Sequence, residues 1–127
     1  MLQGCSQKRP DVYFELIKHC VIVEIDENQH LSYSEICECA RINEIVNGIG
    51  GKSVILIRYN PDKIKHKNKE IKFDLTEKLN TLLQVIKTEL SFDYDTFIVK
   101  LVQLYYDDTD EEYNIMKIEN ITGLVCI

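Results

Sequence analysis

"RPDVYFELIKHCVIVEIDENQH", residues 9–30, carries five acidic residues, and three of them, Glu24, Asp26 and Glu27, lie in or beside a segment that otherwise reads as a buried strand. "DVYFEL" (11–16) and "CVIVEI" (20–25) are rich in β-branched and aromatic residues and are separated by the short "IKH", which predicts an antiparallel pair. The second has an unbroken apolar run, the pattern of a central strand. Carboxylates are costly at such a place, so Glu24 and Asp26 call for a reason.

Outward from this pair, "SYSEICECARINEIVNGIGG" (32–51) has Ser32 and Glu35 at capping-box spacing and Ile36, Ala40, Ile42, Ile45 and Val46 at helical intervals. The spacing predicts a helix from about Tyr33 to Asn47, ended by Gly48. "SVILIRYNPD" (53–62) is a further apolar strand closed by Asn60-Pro61-Asp62. The order strand, helix, strand predicts a right-handed crossover and parallel pairing, hence a mixed sheet.

"KIKHKNKEIK" (63–72) is lysine-rich without a clean period and reads as a loop. In "DLTEKLNTLLQVIKTEL" (74–90), Asp74 and Glu77 are capping residues, and Leu75, Leu79, Leu82, Leu83, Ile86 and Leu90 form one helical stripe. "TFIVKLVQLYY", the acidic turn "DDTDEE" and "YNIMKI" predict a strand pair added to the sheet edge. The expected fold class is α/β, with a central mixed sheet flanked by two main helices in a single domain over residues 1–127.

The bulk properties fit one folded domain: 127 residues, 45% hydrophobic and 28% charged. A net charge of −6 argues against the strongly basic surface of a protein that coats nucleic acid, although a local basic patch can still bind phosphate. The five cysteines, Cys5, Cys20, Cys37, Cys39 and Cys126, form an odd set without a C-x-x-C pair and read as reduced thiols of an intracellular protein. On a helix Cys37 and Cys39 point about 200° apart and do not share an ion. No apolar run approaches the roughly 20 residues that a membrane-spanning helix needs.

Side chains at i and i+2 of a strand face the same way, so Glu24 and Asp26 project to one side at the end of the central strand. If the preceding strand runs antiparallel, its start, Asp11, lies beside them. Three converging carboxylates repel one another unless protonated, paired with bases or bound to a divalent cation, and hard oxygen ligands with room for water suit Mg²⁺, with Mn²⁺ as a substitute. A cation so held polarises a phosphoryl oxygen and readies a water for in-line attack, which makes phosphodiester hydrolysis the natural reaction class. His30 follows closely enough to serve as general base or leaving-group acid, and Gln29 can orient a water or a phosphate oxygen. The plainer alternative is that the carboxylates are solvated strand ends, Asp11 begins a turn after Pro10, and His30 caps the next loop.

"RPD" followed by "VIVEIDENQH", a helix containing Arg41, and "VILIRYNPD" resemble the PD-(D/E)XK nuclease superfamily, the restriction-endonuclease-like fold. Within it the pattern is similar to very-short-patch-repair endonucleases and homing-endonuclease-like proteins of large DNA viruses. The resemblance covers roughly residues 9–62. It implies a DNA endonuclease in which Asp11 and Glu24 are metal ligands and the Ile25 carbonyl is a further one. Asp26 stands where the family has its usual lysine, so that lysine's work passes to His30, Gln29 or a second metal. Many relatives place an extra helix ahead of the first strand, where only ten residues precede Asp11, as in a reduced member or a piece of a longer chain.

Lys63, Lys65, Lys67, Lys69 and Lys72 can meet DNA phosphates or form a solvated loop. Arg9 and Arg58 can offset the carboxylates or contact the scissile phosphate, and Arg58 can equally close a structural ion pair. The turn at 107–112 lacks the glycine and spacing of an EF-hand and reads as a solvated hairpin tip. Tyr105 and Tyr106 can stack on bases or pack in the core. Two other classes of function remain open: a non-catalytic nuclease-fold module that binds DNA or a protein, and an assembly protein that forms a homodimer through the edge "FIVKLVQLYY".

Overall fold

The structure is a computed structural model of the chain, in which residues 10–27 and 35–121 are described, residues 35–39 by their backbone alone. β1 (Val12–Glu15) and β2 (His19–Ile25) form the expected antiparallel pair, with Val12 opposite Val23 and Glu15 opposite Cys20. β3 (Ser53–Tyr59) pairs with β2 in parallel, and β6 (Val99–Leu104) pairs with β3 in parallel. β7 (Met116–Ile121) closes the sheet antiparallel to β6, giving the order β1-β2-β3-β6-β7.

The unbroken apolar runs are explained by burial on both faces. α1 (Glu35–Ile49) sets Ile42, Ile45, Val46 and Ile49 over Ile22, Val54, Leu56, Val99 and Leu101. α2 (Leu75–Ser91) sets Leu82, Val85, Ile86 and Leu90 against Val21, Val23, Ile55, Ile57, Val102 and Leu104 on the other side. The architecture is α/β: a mixed five-stranded sheet between two helices. Both connections step the same way across the sheet yet lay their helices on opposite faces, so they are of opposite hand, and the right-handed rule holds for one of them. Among the described residues no helix is long and apolar enough to cross a membrane.

Four expectations are corrected. The lysine-rich segment is a hairpin, β4 (Ile64–His66) with β5 (Lys69–Ile71), whose two-residue turn has Lys67 at φ 52 and Asn68 at φ 67, the primed-turn geometry that suits the twist of a hairpin. α1 runs past Gly48 and ends before Gly50 and Gly51, at φ 80 and 91, where L-residues are strained. Of the α2 stripe, Leu75, Leu79 and Leu83 are exposed, and the buried line instead includes Lys78 and Glu89; Asp74 is the N-cap residue but makes no side-chain cap bond. β6, which contains most of "FIVKLVQLYY", is an interior strand, so β7 rather than β6 is the edge. Tyr105 and Tyr106 are buried and serve packing rather than base stacking.

Candidate functional site

The strand registers set one polar row across the α1 side of the sheet. Glu24 is the partner of Arg58, Arg58 of Gln103, and Gln103 of Lys117. Carrying the β1–β2 register one residue further puts Asp11 opposite Glu24. The row lies near the carboxyl ends of the three parallel strands, the end at which open α/β sheets bind ligands.

Glu24 is fully buried, and its charge is met by two arginines. Arg41, on α1, grips both carboxylate oxygens: Nη1 donates to Oε1 at 3.0 Å and Nη2 donates to Oε2. Arg58 Nε donates to Oε1 at 3.2 Å from within the sheet. The planar guanidinium fork suits this two-point contact. Asp11 Oδ2 accepts the Ile25 backbone N–H at 2.7 Å. Burial lowers the Arg41 guanidinium pKa, and the Asp11 charge opposes that shift. Asp26 is buried with the Tyr106 hydroxyl donating to Oδ2, and its backbone N–H donates to Tyr59 O at 2.7 Å.

The structure therefore sets Asp11 opposite Glu24 in register, closes Arg41 on Glu24, and holds Asp26 one residue past the end of β2. Among the described residues no three His, Cys, Asp or Glu side chains gather closely enough to hold an ion. Arg9, Gln29 and His30 lie outside the described residues. Arg58 pairs with Glu24, which offsets that carboxylate and closes an ion pair within the sheet.

Just beyond β3, Asn60 ties the strand ends. Its amide donates to Tyr105 O at 2.8 Å, and its Oδ1 accepts the Asp62 N–H at 2.9 Å, the Asx turn that lets Pro61 follow. Lys78 of α2 is the residue that the sequence reading missed. Its ammonium donates to Asn60 O at 3.0 Å and Asp62 O at 3.3 Å and lies 5.3 and 5.1 Å from the ring centroids of Tyr59 and Tyr105. Desolvation lowers its pKa, against the pull of Asp62. A lysine four residues before Leu82, on the buried line of a helix, was the available signal.

The hairpin springs from the same end of the sheet and is docked on the turn after β6. Lys67 N donates to Asp108 O, Asp108 N to Lys65 O, and Lys65 N to the Asp107 carboxylate. Lys63, Lys65, Lys67 and Lys69 are exposed there, with Lys63 beside Glu70 at 3.7 Å, Lys67 beside Glu111 at 3.1 Å, and Lys65 opposite Glu70 in register. Asp108 is buried inside the acidic turn. The Asp110 backbone N–H, Lys117 and the Asn114 N–H hold its carboxyl well below the usual carboxylate range.

Comparison with protein-family models, with curated proteins and with solved structures finds no match for the chain.

Proposed function

We propose that the chain is a magnesium-dependent DNA endonuclease domain of the restriction-endonuclease-like class, hydrolysing phosphodiester bonds. The reading rests on one observation: Asp11 falls opposite the buried, arginine-paired Glu24 at the carboxyl ends of parallel strands, where its carboxylate accepts the Ile25 N–H. Two carboxylates and the Ile25 carbonyl are a ligand set that Mg²⁺ accepts with waters completing it. Arg41 supplies the counter-charge at that place, so an ion would have to displace it. Arg58 is confined to β3 with 3% side-chain exposure and keeps Oε1 engaged, leaving Oε2 to the ion.

When bound, the ion supplies Lewis-acid polarisation of a phosphoryl oxygen and a more acidic water. Asp26 and Tyr106 fix the strand end beside the ligands, His30 moves the proton, and Gln29 orients the water. Arg9 and the hairpin lysines Lys63, Lys65, Lys67 and Lys69 meet the DNA backbone, which positions the duplex without reading sequence. Incubation of the protein with plasmid and Mg²⁺ or Mn²⁺ tests this. Nicking by wild type that is lost in Asp11→Ala is expected, and plasmid left equally intact by both ends the catalytic reading.

A second reading, a nuclease-fold module that binds DNA without cutting it, is favoured by the double engagement of Glu24 and by Asp26 at the lysine position. It expects DNA binding that survives Asp11→Ala, is lost when the four hairpin lysines become alanine, and is accompanied by no cleavage at any metal concentration.

A further inference from the structure

We infer that β7 is a self-complementary edge through which two copies of this chain pair antiparallel, joining their sheets into one of twice the width. Among the described residues no strand pairs with the outer side of β7. Its residues alternate between the two faces of the sheet. Met116 and Ile118 stand on the α2 side, 45% and 52% exposed. Lys117 and Glu119 stand on the other, as the partners of Gln103 and Leu101.

A two-fold axis through Ile118 puts Ile118 opposite its copy, Lys117 opposite the copy's Glu119, and Glu119 opposite the copy's Lys117. Both cross-strand charge pairs are then attractive, and the apolar residue meets itself. An edge strand protected against pairing carries charges that repel a copy, typically several lysines. A single Lys-x-Glu step centred on isoleucine has the opposite property. Other registers lose it: a shift of the axis by one residue sets Lys117 against its own copy or Glu119 against its own copy.

The surface beside Ile118 extends the match. Ile118 lines a groove of about 510 Å³ with Phe92, Phe97 and Ile98, and both phenylalanines are more than half exposed. A paired copy brings its own Ile118 and Met116 to the rim of that groove, so the apolar area removed from water exceeds what six strand residues bury alone. An isologous contact of this kind closes on itself and gives a dimer rather than a fibre.

Sedimentation of the whole chain from about 1 to about 300 µM tests the proposal. A mass rising toward twice 14.9 kDa is expected for wild type. Glu119→Lys and Lys117→Glu each set like charges opposite one another twice, and each weakens self-association roughly tenfold or more. An equimolar mixture of the two restores both pairs and re-forms a dimer. Lys117→Glu also removes the Lys117–Asp108 contact, so its fold is checked by circular dichroism. Should it unfold, Ile118→Asp, at a side chain half exposed in the single chain, replaces it and must dissociate the dimer. Wild type that stays monomeric throughout, a dimer indifferent to these substitutions, or folded single variants that fail to pair with each other overturns the proposal.

Discussion

Replacing Glu24 with Gln keeps the shape of the side chain and removes the charge that two arginines share. Arg58 lies within β3 with its side chain 3% exposed, and Arg41, on α1, is 10% exposed, so Arg58 is the more deeply desolvated of the two. The variant takes the Glu24 charge away from a buried guanidinium, a loss of about 3–5 kcal/mol. For a domain whose whole stability is about 5–15 kcal/mol this is a large share. With a urea m-value of about 1.5 kcal/mol/M, the midpoint at pH 7 falls by about 2–3 M. Adding Arg58→Met removes the buried guanidinium as well, and the double variant recovers at least about 2 kcal/mol of the loss. A Glu24→Gln midpoint within about 0.7 M of wild type, or a double variant no more stable than the single one, refutes the account of Glu24 as a desolvated ion-pair centre.

Arg41→Ala vacates Glu24 Oε2, so on the proposed function it tightens Mg²⁺ binding by about tenfold in calorimetry, a change of about 1.4 kcal/mol; weaker binding speaks against displacement of Arg41 by the ion. Asp108→Asn destabilises the chain at neutral pH and ceases to do so in acid. The folded carboxyl is depressed below its unfolded value, so its contribution is present above the ordinary carboxylate pKa of about 3.9 and is lost as pH falls through the folded one, which thermal melts across a pH series follow. Asn68 stands at φ 67 in the hairpin turn, so Asn68→Val costs about 1–2 kcal/mol in a chemical melt while Asn68→Gly is close to neutral; equal effects from both contradict the primed turn.

The fold was legible where one residue pattern admits one environment. "CVIV" and "SVILI" are apolar at every position, which suits strands covered on both faces, and the helical stripe of "INEIV" could only lie against them. The lysine hairpin was not legible as a run of charges, because its turn residues, Lys67 and Asn68, include no glycine, and only the tolerance of Asn for positive φ hinted at it. The leucine stripe of α2 misled because it is broader than the face the sheet can cover, so Leu75, Leu79 and Leu83 face outward. At the site, strand alternation and the antiparallel register sufficed to bring Asp11 to Glu24. The partners Arg41, 17 residues along from Glu24, and Tyr106, 80 along from Asp26, arise from the packing of α1 and from the far end of β6, which no local period encodes.

The docking of the β4–β5 hairpin on the turn after β6 also has a kinetic side. Lys65 meets Asp107 across 42 residues of chain, and His66 donates to Asp110 O across 44. Closing a loop of that length in an unstructured chain costs about 3 kcal/mol, comparable to the net gain of about 1 kcal/mol from each of the few hydrogen bonds at the contact. The contact forms cheaply only after α2 has docked and β6 has taken its place beside β3, since the ends are then already near each other. The hairpin is therefore a late event in folding and an early one in opening, and its amides exchange with solvent well before those of β2 and β3.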